Sequence, residues 1–110
     1  MSASSMGDII AERVLTLLDD HDQARQVFVR LGKPQKSRQS DEYYCPFQFV
    51  GLRDKQVRQI YGIDAFQALQ LTLRAISFSL HHYRKELNIV LYCWEPGDDM
   101  GFPLHPQDKS

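Results

Sequence analysis

No Walker A loop, no G-x-G-x-x-G turn and no G-x-S-x-G elbow occurs in the chain. The common sequence marks of nucleotide binding and of serine hydrolysis are therefore missing. Cysteine is scarce: the two present, Cys45 and Cys93, form no C-x-x-C pair, which excludes a disulfide framework and the usual zinc and thioredoxin signatures. No apolar run approaches the roughly 20 residues that span a bilayer. The opening MSASSMGD carries neither the basic nor the apolar stretch of a secretory signal. A cytoplasmic protein with reduced thiols and no membrane partner is the expectation. An excess of either charge is missing too. Thirteen Lys and Arg against fourteen Asp and Glu leave a net charge of −1, far from the positive excess of a dedicated nucleic-acid binder.

What is present is the composition of a globular domain, 43% hydrophobic and 25% charged over 110 residues, enough to bury a working core. Its organising stretch is Asp64–Leu87. Phe66, Leu69, Leu73, Ile76, Leu80, Tyr83 and Leu87 recur at spacings of three and four, which predicts one long helix with that stripe buried. Leu71, Ala75 and Phe78 widen the stripe, while Gln67, Gln70, Arg74, Ser77, His81 and Arg84 fall on the side left to water. Asp64 is an N-cap residue, and Gln67 three positions on completes a capping-box pattern.

The rest of the chain reads as strands. Residues 1–8 are expected to be a disordered tail, 9–104 a single domain and 105–110 a flexible tail. Ile9–Leu18 fits a helix or a strand, and the polar turn at Asp19–Gln23 followed by the alternating run Arg25–Leu31 favours a hairpin. Gly32–Glu42 has no apolar residue and is expected to be an exposed loop. Tyr43–Leu52 makes a third strand with Cys45, Phe47 and Phe49 on one face. Pro46 within it has no N–H to donate, which points to a sheet edge or a bulge. Val57–Ile63 alternates as a fourth strand leading into the helix. Asn88 is expected to stop the helix, and Ile89–Trp94 is a last apolar strand. Met100, Phe102 and Leu104, in a tail otherwise rich in turn residues, are expected to pack back on the core. The predicted fold is α+β, an antiparallel sheet of four to five strands in the order β-β-β-β-α-β with one helix across a face.

Charge is uneven along this order. Residues 1–23 hold one Arg against five acids, residues 24–58 eight Lys or Arg against three acids, and residues 59–110 four against six. A meander places the basic loop Lys33–Arg38 at one end of the sheet and the Arg53–Lys55 turn at the other, beside the acidic Asp19–Asp22 turn. The basic segment is split, which argues against a single nucleic-acid groove.

Few residues form a chemical set. His81 and His82 point about 100° apart on a helix and share no face; His82 and Glu86, four apart, are at most half of a metal site that needs three or four ligands. Cys45 and Cys93 read as packed strand thiols. No metal and no cofactor is expected. Asp98 and Asp99, in G-D-D-M-G, are either paired carboxylates for acid–base work or turn formers bonding their own backbone. Tyr43, Tyr44, Tyr92 and Trp94 are residue types enriched where proteins bind each other.

Three stretches carry a resemblance: Cys45-Pro46-Phe47-Gln48-Phe49-Val50-Gly51-Leu52, Tyr61-Gly62-Ile63-Asp64-Ala65-Phe66-Gln67-Ala68-Leu69-Gln70-Leu71, and Gly97-Asp98-Asp99-Met100-Gly101-Phe102-Pro103. They resemble the signature segments of a small bacterial family catalogued as a domain of unknown function. The similarity runs from about Ile10 to Pro103. It implies a bacterial, cytoplasmic setting and strand structure at Ile9–Leu18, and it supplies no activity or catalytic residue. The functional expectation is a non-enzymatic module that binds another protein, immunity-type or regulatory, with Tyr43, Tyr44, Trp94, Asp98 and Asp99 as its candidate binding residues. The alternatives are a small enzyme or ligand-binding domain with a pocket near Asp98, Asp99, His82 and Tyr92, and a homodimer formed through a sheet face or the Pro46 edge.

Overall fold

The structure, a computed structural model, describes residues 5–104. The tail expected at 105–110, and the first four residues of the one expected at 1–8, lie outside the described residues. Strand β1 (Ile9–Leu18) and strand β2 (Ala24–Gly32) form the expected hairpin, with Leu15 opposite Val27 and Arg13 opposite Val29. Strand β3 (Gln35–Lys36) follows, then β4 (Tyr43–Val50), β5 (Arg58–Gly62), helix α1 (Ala65–Glu86) and β6 (Val90–Tyr92). All pairings are antiparallel. The fold is thus α+β, with one helix among the described residues and a sheet of six strands there rather than four to five.

The extra strand is β3, a correction to the fully exposed loop expected at Gly32–Glu42. Strand β5 pairs with β4 over Tyr43–Phe47, while β3 pairs with Tyr43–Tyr44 and β2 with Phe47–Val50. A strand has two edges, so β2 and β3 must share the one that β5 does not use. β3 therefore continues β2 after a break at Lys33–Pro34. Pro46 sits at that break, opposite Gln59 of β5 on its other side. A Cβ on Gly32 would come within 2.5 Å of its ring. β4 is an interior strand, so Pro46 is not at a sheet edge. Its missing donor falls where the neighbouring strand is interrupted.

β6 returns after the helix to pair with β1 over Thr16–Leu18, opposite Tyr92–Val90. It closes that side of the sheet as a three-residue edge strand. Leu15, Leu17, Val27, Val29, Leu31, Cys45, Phe47, Phe49 and Leu91 point from the sheet into one core on the helix side.

The helix is capped as its sequence predicts. Asp64 Oδ1 accepts from Gln67 N at 2.8 Å, and Gln67 Oε1 accepts from Ile63 N at 2.8 Å. Asn88, at φ 50°, takes the left-handed conformation that ends the helix beyond Leu87. The buried face, however, is Ala68, Thr72, Ile76, Ser77 and Leu80, flanked by Leu69, Ala75 and Tyr83. Phe66 is 78% exposed, and Leu73, Phe78 and Leu87 are exposed as well. The cause is close approach. α1 packs on β4 and β5, and Gly62 lies so near it that a Cβ there would meet Ala68 N at 2.5 Å. Only small side chains fit at that contact. Ala68 and Thr72, whose hydroxyl returns to Ala68 O at 2.7 Å, occupy it, and the large residues are turned aside.

Candidate functional site

The five candidate binding residues fall in three places. Tyr43 faces the helix side and packs against the core, whereas Tyr44, its neighbour on an alternating strand, is on the open face. Trp94, Asp98 and Asp99 belong to the segment after β6.

That segment is built around Asp98. Its carboxylate accepts from Trp94 N (2.8 Å), Glu95 N (3.1 Å), Met100 N (2.9 Å) and Cys93 N (3.3 Å). Burial alone raises its pKa, but those four donors, Trp94 first, outweigh it and hold it down at about 2. Asp99 Oδ1 takes Gly101 N at 2.9 Å. Both carboxylates thus accept from backbone amides of their own turn, as turn formers do. Met100, at φ 62°, is driven fully into the core. Arg84 donates to Leu91 O and, at 2.7 Å, to Asp98 O. Ser77 Oγ donates to Phe102 O and to Pro103 O (3.1 Å), and His81 Nε2 lies 3.0 Å from Phe102 O. Ser77, His81 and Arg84 were expected to face water. They instead hold the C-terminal segment onto the helix. Arg13, on the helix-side face of β1, has its guanidinium 4.6 Å from the Phe102 ring centroid and 5.5 Å from that of Trp94. It donates to Gly101 O at 2.9 Å. Trp94 is itself 68% exposed.

The pocket expected between the helix and this turn is not assembled from its four residues. His82 stacks on Phe78, with centroids 6.1 Å apart, beside Phe49, Arg58 and Tyr83. Tyr92, opposite Thr16, is on the open face, since its neighbour Leu91 is the one in the core. The cysteines do not meet either: Cys45 is in β4, whereas β6 ends at Tyr92, so Cys93, expected in the last strand, lies just beyond it on the far side of β2 and β1, and both are free thiols. Burial pushes the Cys45 thiol up against a smaller, opposite effect of Thr72, and Cys45 Sγ bonds Gly32 O at 3.3 Å. Among the described residues no three of His, Cys, Asp and Glu come together as a metal-holding group. No helix among them is long and apolar enough to cross a membrane.

A further concave surface, among the described residues, lies on the other face. Alternation puts Gln35, Tyr44, Gln59 and Tyr61 together there, because Tyr44 is opposite both Gln35 and Tyr61. The Tyr44 and Tyr61 rings stand 5.7 Å apart at 41°, and Tyr44 Oη donates to Gln35 Oε1 at 3.3 Å. With Lys36, Arg38, Gln39 and the backbone near Gly7 they line a cleft of about 520 Å³. Lys36 and Arg38 are exposed, and neither is in an ion pair among the described residues. Along the strands the face continues through the Glu12–Arg30 pair (2.7 Å) to Val14, Phe28 and Val50. Tyr61, Gln59, Gln35, Lys36 and Arg38 were not among the expected site residues. The period of β5 placed Gln59 and Tyr61 on one face but carried no sign that this face was the uncovered one.

Helix on one side, a sheet face bare of any described element on the other and a pinned C-terminal segment define a small two-layer α+β domain. Residues 11–104 match the family described as Domain of unknown function (DUF6968), and the chain belongs to it. No curated protein and no solved structure matches the chain.

Proposed function

We propose that the protein is a small, non-enzymatic binding module of the bacterial cytoplasm, immunity-type or regulatory, that holds another protein against its open sheet face. The observation that carries this reading is the Tyr44–Tyr61 pair. Two large amphipathic rings stand on a sheet face that no element of the described chain covers. Tyrosine supplies much contact area for little lost rotamer freedom, which is why it recurs at the centres of protein interfaces. The amides of Gln35, Gln39 and Gln59 around the pair offer donors and acceptors for a polar rim. The carboxylates that suggested chemistry are engaged in turn bonds, which further supports binding over catalysis.

The test is capture of partners from a bacterial lysate with tagged wild type, the Tyr44→Ala/Tyr61→Ala variant and a Trp94→Ala control, read by mass spectrometry. A protein held by wild type and Trp94→Ala but lost from the double variant is the expected result. Capture unaffected by the double variant, or no protein captured by wild type, sinks the reading.

A further inference from the structure

The cleft that Tyr44 and Tyr61 build has a sign. Its lining contains Lys36 and Arg38 and no Asp or Glu. Its other polar groups are amides, hydroxyls and backbone. Gln35 and Gly7 also line an adjoining cleft of about 440 Å³ that contains Lys33, together with Asp8. Lys33, Lys36 and Arg38 thus succeed one another along the break after β2, at the rims of these two clefts; Lys36, opposite Tyr43, is rooted on the helix-side face of the edge strand and reaches the cleft from its rim.

None of the three is in an ion pair among the described residues. Elsewhere Arg30 pairs with Glu12, Arg58 with Asp54, and Arg84 bonds carbonyls of the C-terminal segment. The acidic side chains of the same loop, Asp41 and Glu42, line neither cleft. Cations outside any ion pair, beside the half-buried Tyr44 and the exposed Tyr61, form a surface complementary to carboxylates spaced along a peptide.

We infer that this cleft takes an acidic segment of the protein partner, lying extended across β3 with carboxylates toward Lys36 and Arg38 and a side chain against the Tyr44–Tyr61 rings. The inference rests on the protein-binding reading above and gives that partner its chemistry. An extended chain suits the site because β3 is an edge strand whose only strand partner among the described residues is β4. The charges set the rate of encounter and its salt dependence, and the rings set how long the contact lasts.

The experiment uses three fluorescent twelve-residue probes on the full chain: alternating Glu and Ala, alternating Lys and Ala, and oligothymidylate. The Glu peptide is expected to bind, with amide NMR shifts confined to residues 35–39, 44 and 59–61. Lys36→Glu/Arg38→Glu, at exposed positions that leave the core untouched, should weaken it at least tenfold, and Tyr44→Ala at least threefold. Raising the salt from 50 to 300 mM should weaken it likewise. No binding of the Glu peptide, or shifts centred on Arg53 and Lys55, overturns the inference. So does oligothymidylate binding the same cleft as tightly, which would make it a general polyanion or nucleic-acid site. Lysate capture separates the two levels. A partner retained by Lys36→Glu/Arg38→Glu but lost from Tyr44→Ala/Tyr61→Ala ends the acidic-segment inference alone. Retention by both variants ends both.

Discussion

Asp98 gathers four backbone N–H groups from Cys93 to Met100 onto one carboxylate, and its folded pKa of about 2 against an ordinary 3.8 makes it a pH-dependent fastener. A group whose pKa is depressed by folding stabilises the folded state fully above its unfolded pKa. That contribution is lost as the pH falls through the folded value. Urea unfolding of wild type should therefore weaken as the pH drops from about 4 toward 2. In Asp98→Asn the stability should be lower at pH 7, and the wild-type minus variant difference should shrink across that window. A difference constant from pH 7 to 2 would deny Asp98 this role. Asp19 and Asp54, whose pKa values are also lowered, chiefly by backbone N–H donors, contribute equally to both proteins and cancel in the comparison. Ser77 is a second single-residue hold. Ser77→Ala removes the donor to Phe102 O and Pro103 O and should cost about 1 kcal/mol. Faster hydrogen exchange at Met100–Phe102 than in the strands would locate the loss.

At the scale of the element, the helix separates what sequence patterning reports from what it cannot. Its extent, its cap and its stop were all legible, because Asp64, Gln67 and Asn88 act through local backbone bonds. The strands were legible for the same reason: a period of two in Val27, Val29 and Leu31, or in Cys45, Phe47 and Phe49, follows directly from the pleat. The rotation of the helix was not legible. A stripe of large apolar residues seemed to mark the buried face, but Gly62 brings β5 so close that Ala68 and Thr72 take the contact. Phe66→Ser should accordingly change stability by less than about 0.5 kcal/mol. Ile76→Ala should cost about 2–5 kcal/mol. Gly62→Ala, whose new Cβ has backbone in its way, should cost about 1–3 kcal/mol. Chemical denaturation of the three variants checks the order, and a Phe66 loss equal to that of Ile76 would put the helix on its other face. Ser77, His81 and Arg84 were misread because their acceptors are carbonyls distant in sequence, and no short-range period encodes that. The cleft was half legible. Tyr44 stood out by residue type, while Tyr61 and Lys36 acquired meaning only once β3 and β5 were found on opposite edges of β4.

For the whole molecule, the helix and the C-terminal segment share the work of covering one face. α1 covers β4 and β5, and residues 93–103 cross the helix side beside β1, with Met100 wholly buried and Phe102 against Arg13. A chain cut after Cys93 should lose Met100 from the core and expose apolar surface. Its unfolding should lose cooperativity, and a dye that fluoresces on apolar surface should bind it and not the full chain. Retained sharp unfolding would show that the segment is an ornament.

Of the six strands, β1 is the first to be synthesised and β6, which closes its outer edge over Thr16–Leu18, is the last. Until the ribosome has delivered that final strand, β1 has an unpaired edge and the core lacks Met100. Even then, among the described residues, β6 protects only the last third of it, leaving Ile9, Ile10 and Val14 exposed. The charges of Glu12 and Arg13 in that same run are the kind that discourage a neighbouring chain from adding itself as another strand. A half-made copy next to another half-made copy is therefore the moment at which this protein is most open to error. Crowding on one messenger, rather than heat, is the condition under which replacing Glu12 and Arg13 by apolar residues should first show itself as aggregate.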